Sequence, residues 1–469
     1  MCTIKILIFF LVLAQTRSLN PGVKTRLTEK GLNAVNQVAQ SLVARELDKL
    51  QLPDQGDDQV SLRNIRKESL TPPQSQMSLS TNGLTWVLRD FSTSIHFDWS
   101  YRKKVLFFTI RDSGSATASF SGVSLTLTLA VDLDGNQEPL LRSRGCSANI
   151  GDFNLKFHGG NAWLYNLIKG LFQNSIKNKI RDKICELVEK FVNENGAREL
   201  RTMKTSANVG DLFALDFKLT ESLVFTPQFI ESRHSGEFYS KTGRTATPLT
   251  PAPIPDWPYT DNMLYIWVTD YTAKTAAYVT QSKDFLKYTI TKQSLAAKDR
   301  NIMDTTCSSR DFCAGSILDS LSENYPNTSI AIDIRSAKTP EVAFTTSGLD
   351  LKLYGQLTFT AGGQTFLSCL VTLSLSGTAH IEKEILVGNI VDFSLSVSDV
   401  TSTLGDAQIE NLNKVLNGVV STFVQPALND LANKGVDLPI VKDIRFTNAK
   451  LTFYNGYLVV ATDVTYTGN

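Results

Sequence analysis

Apolar residues recur every third or fourth position between residues 28 and 50, a period that predicts an amphipathic helix. Thr28 can cap this helix, and Leu52-Pro53 ends it. A second, longer helix is predicted from about Ala162 to Val192, where one apolar stripe continues until Asn195-Gly196. A single stripe of that length favours a helix that lies along a large sheet.

The apolar period changes to two from about Met77 to Phe157, which predicts a series of strands. The clearest strand ends in a turn at Asp134-Gly135. Its alternating apolar residues are Val123, Leu125, Leu127, Leu129, Val131 and Leu133. Several such strands in succession describe an antiparallel sheet with one buried face.

The second half of the chain repeats this mixture of strands and long helices. Strands are predicted at 349–359, 367–375 and 444–466, and a helix from about 408 to 434. Between the halves, five prolines fall within eleven residues: Pro248, Pro251, Pro253, Pro255 and Pro258. Because prolines at this density exclude a helix or a central strand, we interpret residues 247–265 as a stiff extended linker.

A chain of 469 residues is too long for one ordinary hydrophobic core. We therefore expect an α+β protein with two similar domains, at residues 19–246 and 266–469. Residues 1–18 are typical of a signal peptide, since Lys5 precedes a short apolar run and small residues follow it. The run is shorter than the roughly 20 apolar residues that cross a bilayer. We expect the mature chain to begin near Leu19 and to be secreted.

Charge divides unevenly between the two halves. Residues 19–246 contain 29 Lys+Arg and 24 Asp+Glu, a net charge of +5, whereas residues 247–469 contain 16 and 22, a net charge of −6. This difference suggests that only the first half faces an anionic partner, although ordinary variation in composition would also explain it.

Enzyme and metal-binding classes find little support in the sequence. The four histidines are scattered, and neither a His-x-x-x-His nor a Cys-x-x-Cys spacing occurs. A Gly-x-Ser-x-Gly elbow and a phosphate-binding glycine loop are also missing. We expect no catalytic residue, no metal ligand, no nucleic-acid partner and no cofactor other than bound phospholipid.

Cysteine usage is typical of an oxidising compartment, with five cysteines after the signal segment. Cys369 falls on the apolar face of an alternating strand, which predicts a buried free thiol. The short spacing of Cys307 and Cys313 is compatible with a small disulfide loop. Asn327-Thr328-Ser329 is a glycosylation sequon and predicts a surface loop.

Short segments along nearly the whole chain, in order, resemble the family of bactericidal/permeability-increasing and lipopolysaccharide-binding proteins. They begin with Asn20-Pro21-Gly22-Val23 and Thr28-Glu29-Lys30-Gly31-Leu32. They continue with Gly236-Glu237-Phe238-Tyr239, Met263-Leu264-Tyr265, Asp270-Tyr271 and Asp463-Val464-Thr465-Tyr466. Cys146 and Cys185 are also placed like the family's single disulfide, so the resemblance implies that they are bonded.

The resemblance implies an elongated, boomerang-shaped fold. In it, two similar antiparallel barrels are each wrapped around a long helix and joined by a central sheet. It also implies an apolar pocket in each half that holds phospholipid acyl chains.

Family members bind lipid A through basic residues at the tip of the first barrel, and two stretches here match that region. One contains Arg45 and Lys49 at the end of the first helix, and the other is Trp99-Ser100-Tyr101-Arg102-Lys103-Lys104. Clustered cations beside an aromatic side chain suit phosphates above acyl chains. A solvated hairpin whose lysines protect a sheet edge is the alternative interpretation.

The leading hypothesis is a secreted innate-immunity protein that binds lipopolysaccharide, with phospholipid and the bacterial outer-membrane surface as partners. An extracellular phospholipid carrier or transfer protein is the second, and a matrix component without a specific ligand is the third. Asp54, Asp57 and Asp58 follow the first helix where a strongly basic tip would be expected. These acids argue against killing of bacteria by charge-driven membrane disruption, whereas endotoxin binding, phospholipid carriage and lipid transfer are compatible with them.

Overall fold

The fold comes from a computed structural model that describes most of the chain. The described residues are 20–49, 53–56, 58–105, 107–134, 138–158, 205–258, 260–308, 311–317, 319–405, 425–437 and 444–467, with parts of 177–198 and 414–421. The predicted signal peptide, residues 159–176 and most of the predicted start of the last helix therefore lie outside the described residues.

The first helix, α1, covers Glu29–Lys49, in agreement with the predicted range. The Thr28 hydroxyl accepts a hydrogen bond from the backbone N–H of Gly31, as expected of a capping residue. Of the second predicted helix, the structure describes short helical pieces between residues 177 and 190 and a π-helical turn at Phe191–Gly196. This turn contains the Asn195-Gly196 end that the sequence predicts.

Two long antiparallel strands form the centre of the first domain. The strands of this domain are β1 (Val23–Thr28), β2 (Gln55–Gly56), β3 (Val60–Thr71), β4 (Gln74–Ser80), β5 (Gly83–Val105), β6 (Phe108–Leu133), β7 (Pro139–Asn149) and β8 (Asp152–His158). Along one half of their length β5 and β6 are flanked by β3 and β8, and along the other half by β4 and β7. The hairpin of β5 and β6 therefore runs the whole length of the domain.

The second domain is built on the same plan. Its sheet has the order β15-β16-β17-β18-β19-β20, with every pair antiparallel. These strands are β15 (Lys287–Ile290), β16 (Ile330–Thr345), β17 (Gly348–Ala361), β18 (Gln364–Glu382), β19 (Ile385–Ser402) and β20 (Val436–Asp437). The helices are α2 (Asp270–Ser282), α3 (Ala314–Ile317), α4 (Asp319–Asn324) and α5 (Gln425–Lys434), with 3-10 turns at Lys292–Ser294 and Ala297–Met303.

A central sheet joins the two domains, because it takes strands from both ends of the chain. Its order is β11-β12-β1-β14-β22-β21, in which β1, β11 and β12 come from the first half and the others from the second. The remaining strands are β9 (Ser206–Val209), β10 (Phe213–Asp216), β11 (Val224–Phe225), β12 (Phe229–His234), β13 (Glu237–Ser240), β14 (Leu264–Thr269), β21 (Ile444–Tyr454) and β22 (Tyr457–Tyr466). The expected α+β class, with two sheet-rich domains and a shared central sheet, is confirmed. Within the described residues, the strand pairings of each domain form an open series.

The proline-rich segment packs on one face of the central sheet. Asn20 donates a hydrogen bond to the carbonyl of Pro251, and Ile254 contacts the buried cluster around Trp267. Arg26 donates a bond of 2.7 Å to the carbonyl of Trp257. Residues 247–258 contain neither helix nor strand, and they are held to Asn20 and to Arg26 of β1.

Two disulfides are present, and they are the pairs named from the sequence. Cys146 of β7 is bonded to Cys185, and Cys307 is bonded to Cys313. Cys369 is free and buried, and burial raises the pKa of its thiol to about 11. Since the thiolate is the reactive form, this cysteine is expected to be inert at neutral pH.

Replacing Cys146 and Cys185 by alanine is expected to lower the free energy of unfolding by about 2–4 kcal/mol. The bond closes a loop of 39 residues, and losing it restores conformational freedom to the unfolded chain. The matched control is the Cys307→Ala, Cys313→Ala variant. It opens a loop of only 6 residues, so the free energy of unfolding should fall by less. The free energies of unfolding are measured in urea, and equal decreases in the two variants would contradict the dependence on loop length.

Candidate functional site

The far end of the β5–β6 hairpin projects beyond its neighbouring strands. β5 and β6 remain paired as far as Val105 and Phe108, but β3 stops pairing with β5 at Tyr101. On the other side, β8 stops pairing with β6 at Ser115. Within the described residues, the only further support is a hydrogen bond from the backbone N–H of Arg102 to the carbonyl of Gln59. Residues 102–111 are called the tip hairpin below.

One face of the tip hairpin is basic. Arg102 lies directly opposite Arg111, and Lys104 lies on the same side of the hairpin. All three side chains are exposed, as is Lys103 on the other face. In the described part of the chain none of these four has a carboxylate within 4 Å. Two like charges opposite each other disfavour the strand pair, so an anion between them would relieve their repulsion.

Apart from Lys103, the other face and the turn of the tip hairpin carry apolar side chains. Phe107 is 94% exposed and Phe108 is 75% exposed, and Ile110 on the same strand is partly open to solvent. Phenylalanine side chains so far from any core are uncommon on a soluble protein. The tip hairpin therefore presents cations and unpaired aromatic rings at the same end of the domain.

Trp99 does not belong to this surface. Its side chain is 3% exposed and lies in the core cluster with Phe97, where it packs edge-on against Phe157. Its ring N–H donates a hydrogen bond to the carbonyl of Ser115. The exposed aromatic rings beside these cations are those of Phe107 and Phe108, which sequence reasoning missed.

The helix cations and the hairpin cations are not in one cluster. Asp48, at the end of α1, forms an ion pair with Lys67, which lies opposite Ile95 of β5. Lys104 is nine residues further along β5, or roughly 30 Å at about 3.3 Å per residue. Arg45 is exposed on α1, and Lys49 is its last residue, with its side chain outside the described part. The structure thus brings Arg102, Lys103 and Lys104 together and leaves the helix end apart.

Of the three acids that follow α1, Asp54 and Asp58 are described, and both are exposed. Asp54 accepts a hydrogen bond from the backbone N–H of Asn64. Asp58 directly precedes Gln59, whose carbonyl contacts the backbone of Arg102. Acidic side chains therefore lie at the base of the tip hairpin, which limits its positive potential.

Each domain also has an apolar sheet face that is only partly buried. In the first domain these residues share the face of the buried Leu127, and they are Leu84, Trp86, Leu88, Leu125, Leu129 and Val131. In the second domain, the partly buried apolar residues lie on the same sheet face as the buried Leu357 and Cys369. They are Leu351, Leu353, Val371, Leu373, Leu375, Phe393 and Leu395. Such faces could cover the hydrocarbon part of a lipid.

Asn327 of the sequon is exposed in the loop before β16 and has a positive φ of 55°. Among the described residues, no group of three or more His, Cys, Asp or Glu side chains is arranged to hold a metal ion. The helices described here include none with the length and hydropathy of a membrane span.

Comparison with protein-family models decides the family. The model of the LBP / BPI / CETP family C-terminal domain matches residues 207–466, and that of the N-terminal domain matches residues 31–195. The chain belongs to the LBP / BPI / CETP family. The resemblance drawn from its short motifs is therefore confirmed.

Relatives within the LBP / BPI / CETP family match along almost the full length. Bactericidal permeability-increasing protein of Sebastes schlegelii is 28% identical, over 97% of this chain and 98% of its own. Lipopolysaccharide-binding protein of Bos taurus is 25% identical, over 95% of this chain and 94% of its own. A crystal structure of lipopolysaccharide binding protein superposes with a TM-score of 0.58 and 19% identity, covering 96% of this chain and 100% of that one. This last likeness supports the fold.

Proposed function

We propose that this protein is a secreted lipid-binding protein of innate immunity. It binds the lipid A part of lipopolysaccharide through the tip hairpin, and it holds phospholipid acyl chains against the apolar sheet faces of its two domains. The observation that carries the proposal is the tip hairpin itself, where Arg102, Lys104 and Arg111 lie beside the exposed Phe107 and Phe108. The name of one relative, lipopolysaccharide-binding protein, supports the same ligand.

Lipid A carries phosphates above a layer of acyl chains, and the tip hairpin has a counterpart for each part. Each cation near an anionic lipid surface contributes about 1 kcal/mol, so the four cations together contribute about 4 kcal/mol. Burying a phenylalanine side chain contributes about 1.5–3 kcal/mol, or about 3–6 kcal/mol for Phe107 and Phe108. The two contributions are similar in size, so binding should weaken with salt but should not vanish.

Charge reversal at the tip hairpin tests this proposal. In the Arg102→Glu, Lys103→Glu, Lys104→Glu variant, binding to lipopolysaccharide should fall by at least about a hundredfold, since three contributions of about 1 kcal/mol are lost. The stability of the protein should change little, because all three side chains are exposed. Binding is measured by light scattering or surface plasmon resonance at low and at physiological salt.

A matched control reverses three exposed lysines of the second half, Lys298, Lys352 and Lys450. It changes the net charge by the same amount and should keep the affinity of the parent. Mass spectrometry of lipid extracted from both variants gives a second readout, and phospholipid held by the sheet faces should be unchanged.

An extracellular phospholipid carrier without lipopolysaccharide specificity is the second candidate function. The partly exposed apolar faces favour it, since they need no contribution from the tip cations. A charge-reversed variant that binds lipopolysaccharide as well as the parent, at both salt concentrations, while still carrying phospholipid, would select this function. Secreted protein free of phospholipid under native extraction would exclude it.

A further inference from the structure

A row of polar side chains crosses the outer face of the first domain, away from the core. Arg66 of β3 lies opposite His96 of β5, His96 lies opposite Thr117 of β6, and Thr117 lies opposite Lys156 of β8. His158 is two residues beyond Lys156 on the same face. Residues directly opposite in antiparallel strands share a face and lie about 5 Å apart. These five residues are called the histidine patch below.

The two histidines share one hydroxyl group. The Nδ1 atom of His96 and the Nε2 atom of His158 each lie 3.3 Å from Oγ1 of Thr117. The rings are nearly parallel, with centroids 6.2 Å apart. A hydroxyl can donate to one ring nitrogen and accept from another, so the arrangement suits two neutral rings. If both rings take up a proton, the like charges lie close together.

The carboxylates around the histidine patch only partly compensate the positive charge of two protonated histidines. Two carboxylates are near: Glu68, 3.6 Å from His96, and Asp98, which accepts a hydrogen bond from Asn64. Three exposed cations share the face, namely Arg63 opposite Asp98, Arg66 and Lys156. In the described part of the chain these cations have no carboxylate within 4 Å. The local net charge is therefore +1 with neutral histidines and +3 with both protonated.

We propose that the histidine patch binds a phosphate group and binds it more tightly as the pH falls. Protonated imidazole, guanidinium and ammonium groups all form strong charge-assisted hydrogen bonds with phosphate oxygens, and the Thr117 hydroxyl adds a neutral donor. Histidine changes its charge between about pH 5 and pH 8. Because linkage is reciprocal, a bound anion that favours the protonated rings must itself bind better when they are protonated.

This site is separate from the tip hairpin. His96 and Arg102 lie on the same face of β5, six residues and roughly 20 Å apart. A single phosphate cannot contact both, so the histidine patch does not depend on the proposed function. The phosphate could be free in solution, or it could belong to the headgroup of a lipid in a surface on which the domain lies.

The first experiment follows the histidine ring resonances by NMR during titration with inorganic phosphate. Between pH 7.5 and pH 5.5, the affinity of the parent relative to that of the His96→Gln, His158→Gln variant should rise about tenfold, a coupling typical of two linked ligands. The ratio removes the effect of the proton that phosphate itself takes up in this range. The resonances of His96 and His158 should move with phosphate, whereas those of His380, exposed in the second domain, should not. The His96→Gln, His158→Gln variant should lose the increase in phosphate affinity at low pH that depends on these histidines, and His380→Gln should keep it.

The second experiment separates the two sources of phosphate. It uses the charge-reversed tip variant, so that attachment through the tip hairpin is removed, and phosphatidylcholine vesicles with or without phosphatidic acid. Binding of inorganic phosphate would show that the histidine patch recognises phosphate in general. Binding of phosphatidic acid vesicles alone would show that it recognises a lipid headgroup. The proposal is overturned if neither probe binds at pH 5.5, or if the double glutamine variant keeps the gain of the parent.

Discussion

Replacing Glu231 by glutamine should lower the free energy of unfolding by about 3–5 kcal/mol, the usual effect of removing one partner from a buried ion pair. The Glu231 side chain is 3% exposed in the central sheet. It accepts hydrogen bonds from Arg26, the shorter of which is 2.8 Å, and lies 3.6 Å from Nζ of Lys24. Both cations are themselves buried. Without the carboxylate, Lys24 would keep only the exposed Asp256, at 3.7 Å, and Arg26 would keep the carbonyl of Trp257.

The pH dependence of the Glu231→Gln variant gives a second readout. Burial lowers the pKa of Lys24, and the charge of Glu231 opposes that shift. Without Glu231 the pKa of Lys24 should fall further. A lysine whose pKa is lower in the folded state makes folding more favourable as the pH rises between its folded and unfolded values. The loss of stability caused by Glu231→Gln should therefore become smaller as the pH rises towards the ordinary pKa of lysine.

The matched control for this prediction is Glu221→Gln, which removes the same charge from a partly exposed ion pair with Arg233. The Glu221→Gln substitution should lower the free energy of unfolding by at most about 1 kcal/mol. Urea unfolding of the two variants at pH 7 compares them directly. Equal decreases in the free energy of unfolding would show that burial of Glu231 does not strengthen its contribution to stability.

Replacing Trp99 by alanine is expected to cost about 3–5 kcal/mol of stability through the cavity left in the first core. The indole packs against Phe157 and against small residues of β6 such as Ala116. Phe107→Ala is the matched control, since it removes a fully exposed ring and should change stability by no more than about 0.5 kcal/mol.

Substitutions at the two positions should also differ in their effect on ligand binding. Under conditions where both are folded, Phe107→Ala should weaken binding to lipopolysaccharide, and Trp99→Phe should leave it near the parent value. If Trp99→Ala proved as stable as the parent and lost lipid binding instead, the tryptophan would be a surface contact, as the sequence suggested.

The position of Trp99 shows what sequence patterns can and cannot settle. Phe97, Trp99 and Tyr101 alternate with polar residues, a period that assigns all three to one face of a strand. That signal could have placed Trp99 in the core, but the neighbouring cations and the family resemblance favoured the surface. The first helix was predicted within one residue at each end, because its stripe, cap and proline stop all agree.

Phe107 and Phe108 could not be assigned from the sequence, because their exposure depends on where the hairpin turns. Val105 pairs with Phe108, so the turn has two residues and lacks the glycine or asparagine that usually marks one. An apolar pair between strands normally indicates a core. The histidine patch is also invisible in the sequence, since His96, Thr117 and His158 are brought together only by strand register.

The central sheet has a consequence for how the chain folds during its synthesis. Lys30 at the start of α1 forms an ion pair with Asp463 of β22, 433 residues later. At about 5–20 residues per second, the ribosome needs roughly 20–90 s to supply that partner. Until β14 is made, about half-way through synthesis, β1 lacks its neighbour on one side, and an unpaired strand edge is a site of aggregation. The first domain made alone should therefore aggregate unless β14 is supplied, and newly made chains should need a chaperone until β14 emerges.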